Sequence, residues 1–203
     1  MRNTLETSDV TGGGAILFLY QSGYLTIKSC DDYGYILGIP NKEVRQALNE
    51  MVLPALTLRK EDDIQSLQAS LFRQLNMGMT DDAEKSMKAL IADVPYSNKK
   101  LASMDMEERY RLIICTILNA VGIRVEVERM LAGGRIDIVA WTSHYIYVME
   151  LKLSNNGGVL AAEKQIKDCG YMEPFKAYKR DVVALAVELD AQGKGLVGWK
   201  RVE

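Results

Sequence analysis

The chain of 203 residues has one histidine, three cysteines and no large excess of either charge, and each scarcity closes off a class of chemistry. With His144 alone, in a predicted hairpin turn and without a positioned nucleophile, Ser-His-Asp and Cys-His mechanisms have no support. Cys30, Cys115 and Cys169 are odd in number, far apart and without CxxC spacing, so neither a disulfide framework nor a zinc knuckle is indicated. No apolar run approaches the roughly 18 residues of a membrane span. The opening "MRNTLETSDV" lacks the basic-then-apolar order of a signal peptide, so a cytoplasmic protein without membrane association is expected. The "TGGG" at 11 to 14 is not followed by Gly-Lys-Ser/Thr and is therefore no phosphate loop; a flexible N-terminus is expected there. Internal repeats and low-complexity tracts are also lacking. The net charge of −2 gives no global sign of nucleic-acid binding. Only residues 151 to 203, with 9 Lys+Arg against 7 Asp+Glu, offer a phosphate a slightly positive surface.

What is present begins with two halves of different character. "DVPYSNKK", residues 93 to 100, interrupts helical patterns on either side and predicts a domain boundary, with residues 1–97 before it and 98–203 after it. Upstream, "GYLTIK" and "YGYILGIP" read as a β-hairpin turning through "SCDDYG". Asn41 then caps a helix reading "KEVRQALNEMVLPAL", and amphipathic segments follow over about 61 to 76 and 80 to 93. This half predicts a small hairpin and helical-bundle domain without catalytic residue types. Downstream the order is a helix ended by Gly122, strands near 123 to 129, 135 to 142 and 145 to 153, a helix over "GVLAAEKQIKDCG", and the strands "DVVALAVEL" and "LVGWKRVE". A meander followed by a crossover helix predicts an α/β fold, a mixed β-sheet flanked by helices.

Three charges interrupt the apolar strands. Asp137 stands among Ile136, Ile138 and Val139, and Glu150 among Val148, Met149 and Leu151, with Lys152 two residues on and on the same strand face as Glu150. The short link at 142 to 144 makes the two runs an antiparallel hairpin and allows the carboxylates to approach. Two such carboxylates repel, and a partly buried pair keeps a proton unless a cation neutralises it. Oxygen ligation of this kind suits Mg²⁺ or Mn²⁺ rather than zinc. Lys152 beside them would orient water or offset developing negative charge. Solvent-facing charges on an amphipathic sheet are the plain alternative, but near-continuous apolar flanks argue for burial, where an unpaired charge is costly. Trp141, Tyr145 and Tyr147 suit either base stacking or ordinary cross-strand packing.

The order of helix, Asp on a strand, "ELK" on the next strand and a helix carrying a glutamine resembles the PD-(D/E)XK nuclease superfamily. More narrowly, "GYLTIK", "LGIPNKEVR", "GRIDIV", "YIYVMELKL" and "QIKDCGYMEPF" resemble a largely uncharacterised bacterial family within it, whose members usually carry an AAA-ATPase-like module ahead of the nuclease-like domain. The resemblance implies a restriction-endonuclease-like core in which Asp137 and Glu150 hold the metal, the Leu151 carbonyl is a further ligand, and Lys152 is the catalytic lysine. It also implies an acidic ligand on the first core helix, Glu107 or its rival Glu108, with Gln165 beside the active site, Tyr171 packing or contacting phosphate, and Glu128 at a family position. The chain departs from the pattern in having no Walker A sequence and in placing Ile136 where the nominal motif has proline.

Two functions are therefore expected to compete. One is a Mg²⁺- or Mn²⁺-dependent nuclease acting on DNA, or on RNA. The other is an inactive nuclease-fold module that binds nucleic acid or protein and works with a separate ATPase subunit. A homodimer would suit a duplex-cutting member of this superfamily.

Overall fold

The computed structural model describes residues 14–31, 34–41, 43–45, 47–48, 51, 61–92, 94 and 104–203. The chain divides into two compact units, Met1–Met51 and Val52–Glu203. In the first, helix α1 (Gly14–Gln21) precedes an antiparallel hairpin of β1 (Thr26–Asp31) and β2 (Gly34–Gly38). The hairpin is the expected one; α1 was not anticipated. Asn41 acts as the expected cap, its Oδ1 accepting the Val44 N–H at 2.9 Å, while much of the helix beyond it lies outside the described residues.

The second unit opens with α2 (Glu61–Asn76) and α3 (Thr80–Ala92), where amphipathic periodicity placed them. Helix α4 (Met106–Ala120) starts on Asp105, whose carboxylate accepts the Glu107 N–H at 3.1 Å, and ends before Gly122 at φ 85°. Strands β3 (Arg124–Leu131), β4 (Gly134–Trp141) and β5 (Tyr145–Leu153) form an antiparallel meander. Helix α5 (Gly158–Asp168) then crosses to β6 (Asp181–Leu189), which runs parallel to β5, and β7 (Leu196–Val202) closes an antiparallel edge. The sheet order is β3-β4-β5-β6-β7, a mixed five-stranded sheet.

Two apolar clusters explain the near-continuous strand sequences. On β5, Tyr147, Met149, Leu151 and Leu153 pack in one cluster with α2, α3 and α4. Ile146 and Val148 pack in the other with Ala162 and Ile166 of α5, Tyr171 and Phe175. A strand covered on both faces has no polar side to show.

The division between units falls at Met51/Val52, not at the expected 97/98, a junction outside the described residues. The reason is where the apolar faces of α2 and α3 find cover. Ile64, Leu71, Leu75, Met87 and Leu90 join the same cluster as Ile113 and Met149. Polar ties reinforce this: the Tyr147 hydroxyl donates to the Leu75 carbonyl at 2.7 Å, and the Trp199 indole N–H to the Thr80 carbonyl at 3.2 Å. Among the described residues no helix is long and apolar enough to cross a membrane.

Candidate active site

The β4–β5 ladder runs from Trp141↔Ile146 to Ile138↔Met149 and stops one pair short of Asp137 and Glu150. Freed from the ladder, Asp137 turns its Oδ2 to the Leu151 N–H at 2.9 Å. On its other side the register with β3 passes from Val127↔Ile138 to Arg129↔Ile136, leaving out Glu128 and Asp137. Glu128 is there in the left-handed region, at φ 52°. The effect on β4 is a slip of face: Ile136 packs in the α5-side cluster and Ile138, two residues on, in the opposite one. Asp137 thus sits at an opening between strands.

Glu150 is 1% exposed and Asp137 5% exposed, well inside the range where an uncompensated carboxylate is unfavourable. Lys152 donates to Glu150 Oε1 at 2.8 Å, but Glu150 Oε2 is buried without a hydrogen-bond partner. Burial first, and then the Asp137 charge, push the Glu150 carboxyl up to about 7, against the pull of Lys152. Burial alone would lower Lys152, but the hydrogen bond and charge of Glu150, with Glu107 and Asp137, outweigh it and the net direction is up.

Helix α4 supplies the next layer. Glu107 is half-buried, and burial followed by the opposed influences of Lys152 and Asp137 raises its carboxyl, which places it in the field of the site. Its rival Glu108 is exposed. One turn after Glu107, Arg111 approaches Asp137 Oδ1 at 3.4 Å through Nη1 and Glu128 Oε1 at 3.1 Å through Nη2. Glu128 also holds Arg135 at 3.0 Å. Sequence reasoning missed Arg111: its four-residue spacing from Glu107 puts the two on one face of the helix but does not say what that face meets. From α5, the Gln165 amide donates to the Tyr171 hydroxyl at 3.0 Å, which donates to the Arg135 carbonyl at 2.8 Å. Burial first, with the Glu150 charge adding to it, raises the Tyr171 hydroxyl against the pull of the Gln165 hydrogen bond. His144 is exposed in the turn, and Trp141 and Tyr147 are packed in the two cores.

Among the described residues no group of three or more His, Cys, Asp or Glu side chains is gathered for a metal. The donor set is instead two adjacent carboxylates, one with an orphaned oxygen. That matches ions which take one or two protein carboxylates and complete their shell with water and phosphate, so the residues fit Mg²⁺ or Mn²⁺ better than a full protein cage.

A mixed sheet between helices, with carboxylates where two central strands part, defines a restriction-endonuclease-like α/β domain. Residues 105–199 match the family model of the PD-(D/E)XK nuclease superfamily. Nucleases of this superfamily generally use divalent metal ions. The chain is also 29% identical to an uncharacterised protein of the vnfD 5′ region of Azotobacter chroococcum mcd 1, over 89% of this chain and 36% of that protein. It thus spans about a third of the length of this relative. No solved structure matches the chain.

Proposed function

We propose that this protein is a metal-dependent nuclease that hydrolyses phosphodiester bonds in DNA. The observation that carries the reading is the buried pair Asp137 and Glu150, with Glu150 Oε2 unpartnered and Lys152 alongside. Asp137 and Glu150 would hold Mg²⁺ or Mn²⁺, with the Leu151 carbonyl and Glu107 as further oxygen donors. The ion, when bound, supplies a Lewis acid for the phosphodiester and lowers the pKa of an attacking water. The chain's own residues do the rest. The Leu151 N–H fixes the Asp137 carboxylate in orientation. Lys152, which donates to Glu150 here, would orient water and offset charge on the phosphoryl oxygens. Gln165 positions Tyr171, and through it the start of β4.

The roles separate under mutation. Mn²⁺ titrated by calorimetry should bind wild type and Lys152→Ala alike, while Asp137→Ala loses it. Plasmid and single-stranded DNA should be cut only by wild type. Equal Mn²⁺ binding by all three proteins, or none by wild type with DNA present, would exclude the nuclease. The second reading, an inactive module acting beside a separate ATPase subunit, draws on Arg111 lying against Asp137, where a guanidinium already provides positive charge. It predicts DNA binding without cleavage. A homodimer would bring two such sites to one duplex, which light scattering with DNA would detect.

A further inference from the structure

Trp141 ends β4, and three guanidiniums surround it. Arg124 lies 5.4 Å from its ring centroid, Arg129 5.9 Å and Arg180 5.8 Å, and Arg129 also lies 4.8 Å from the Phe175 ring. Tyr178 packs edge-on against Trp141 at 5.1 Å yet remains 46% exposed. It belongs to the turn "KAYKR", residues 176–180, every one of which is exposed. Glu126 accepts from both Arg124 and Arg129, and Glu173 pairs with Lys176. Lys179 and Arg180 have no carboxylate within salt-bridge distance among the described residues; Arg180 donates only to the Ser143 carbonyl at 3.3 Å. Caps on an apolar core do not need two unneutralised cations flanking a half-exposed phenol.

The position relative to the carboxylates is informative. Trp141 pairs with Ile146, and Ile146, Val148 and Glu150 alternate on one face of β5. At about 3.3 Å per residue, the aromatic cluster and Glu150 lie roughly 13 Å apart on the same side of the sheet. Along a duplex axis that distance corresponds to about four phosphates of one strand at a rise near 3.4 Å each, and an extended single strand covers it in fewer. Arg129 and Arg135, at successive positions toward the β3–β4 turn, lie beyond the level of Asp137, and the Arg129 guanidinium reaches back to the aromatic cluster.

We infer that the turn 176–180, with Arg124 and Arg129, is the seat of a single DNA strand leading to the carboxylate site, its phosphates on Lys179 and Arg180 and one base on the Tyr178 ring. Single-stranded DNA is preferred over duplex because an exposed aromatic face takes an unpaired base, while the flanking cations track the backbone. This inference rests on the nuclease reading for its direction toward Glu150, but binding is measurable without cleavage.

The test is fluorescence anisotropy of a labelled oligothymidine and of a labelled duplex, in EDTA, with the intact chain. Wild type should prefer the single strand. Tyr178→Ala should weaken it about tenfold with an unchanged salt slope. Arg180→Ala and Lys179→Ala should each reduce the slope of log affinity against log salt by about 0.7. Lys179 is exposed and has no carboxylate partner among the described residues, so its replacement keeps the fold should Arg180→Ala disturb it. Unchanged affinity and slope in Tyr178→Ala and Lys179→Ala, or a wild-type preference for duplex, would overturn the inference. The two readings fail separately: a protein that binds the oligonucleotide through this turn but takes no Mn²⁺ sinks the nuclease alone, and one that takes Mn²⁺ and cuts with these variants unimpaired sinks the strand seat alone.

Discussion

Glu150 carries opposing demands in a single side chain, being buried beside Asp137 and yet bonded to Lys152. Its carboxyl is held up to about 7 from an ordinary 4.5, so between those values the folded protein binds more protons than the unfolded chain. Stability accordingly falls as pH rises from 4.5 through 7, by a total on the order of 3 kcal/mol before relaxation. Glu150→Gln removes this dependence. In EDTA the variant should be more stable than wild type at pH 8, by ~1–2 kcal/mol after allowing for the lost Lys152 pair, and nearly equal to it at pH 5. Urea unfolding at the two pH values reads this directly. Mn²⁺ should raise the wild-type midpoint at pH 8 and leave the variant's unmoved, since only a carboxylate pair gains from the ion.

At the scale of elements, the crossover helix α5 depends on a cap from outside itself. Its N-cap, Gly157, has no side chain to offer, and Glu188 on β6 accepts the Val159 N–H at 3.1 Å instead. Gly158, at φ 51°, permits this approach: a Cβ there would run into the Glu188 carboxylate. A carboxylate at a helix N-terminus satisfies an orphan N–H and opposes the helix dipole favourably. Glu188→Ala should therefore cost about 1 kcal/mol, measured by urea unfolding, and Gly158→Ala should cost more because backbone strain is added to the clash.

For the whole molecule, the shared core of α2, α3, α4 and the sheet sets where the chain can be divided. A fragment of residues 52–203 keeps that core entire. A fragment of residues 98–203 strips α2 and α3 from it, exposing the faces that Leu71, Leu75, Met87 and Leu90 cover and leaving the buried Tyr147 hydroxyl without the Leu75 carbonyl. The longer fragment should melt cooperatively. The shorter should bind a hydrophobic dye and lose its sharp thermal transition. A cooperative melt from residues 98–203 would instead restore the division expected from "DVPYSNKK".

Much of this was legible in local pattern. Strand alternation and a three-residue link were enough to make β4 and β5 a hairpin, and apolar flanks were enough to bury Asp137 and Glu150 on it, because periodicity is a property of neighbours in sequence. The helix spacing likewise predicted α2 to α5. What covers each apolar face is a different matter, since a stripe of leucines requires burial without specifying its partner. Only packing decided that α2 and α3 belong with the sheet. Only the ends of the ladders decided that Asp137 would turn to the Leu151 N–H, and that Glu128 would take a left-handed backbone beside it. Arg111, 26 residues before Asp137, came to it through the packing of α4 on the sheet, a long-range contact that no spacing within either element records.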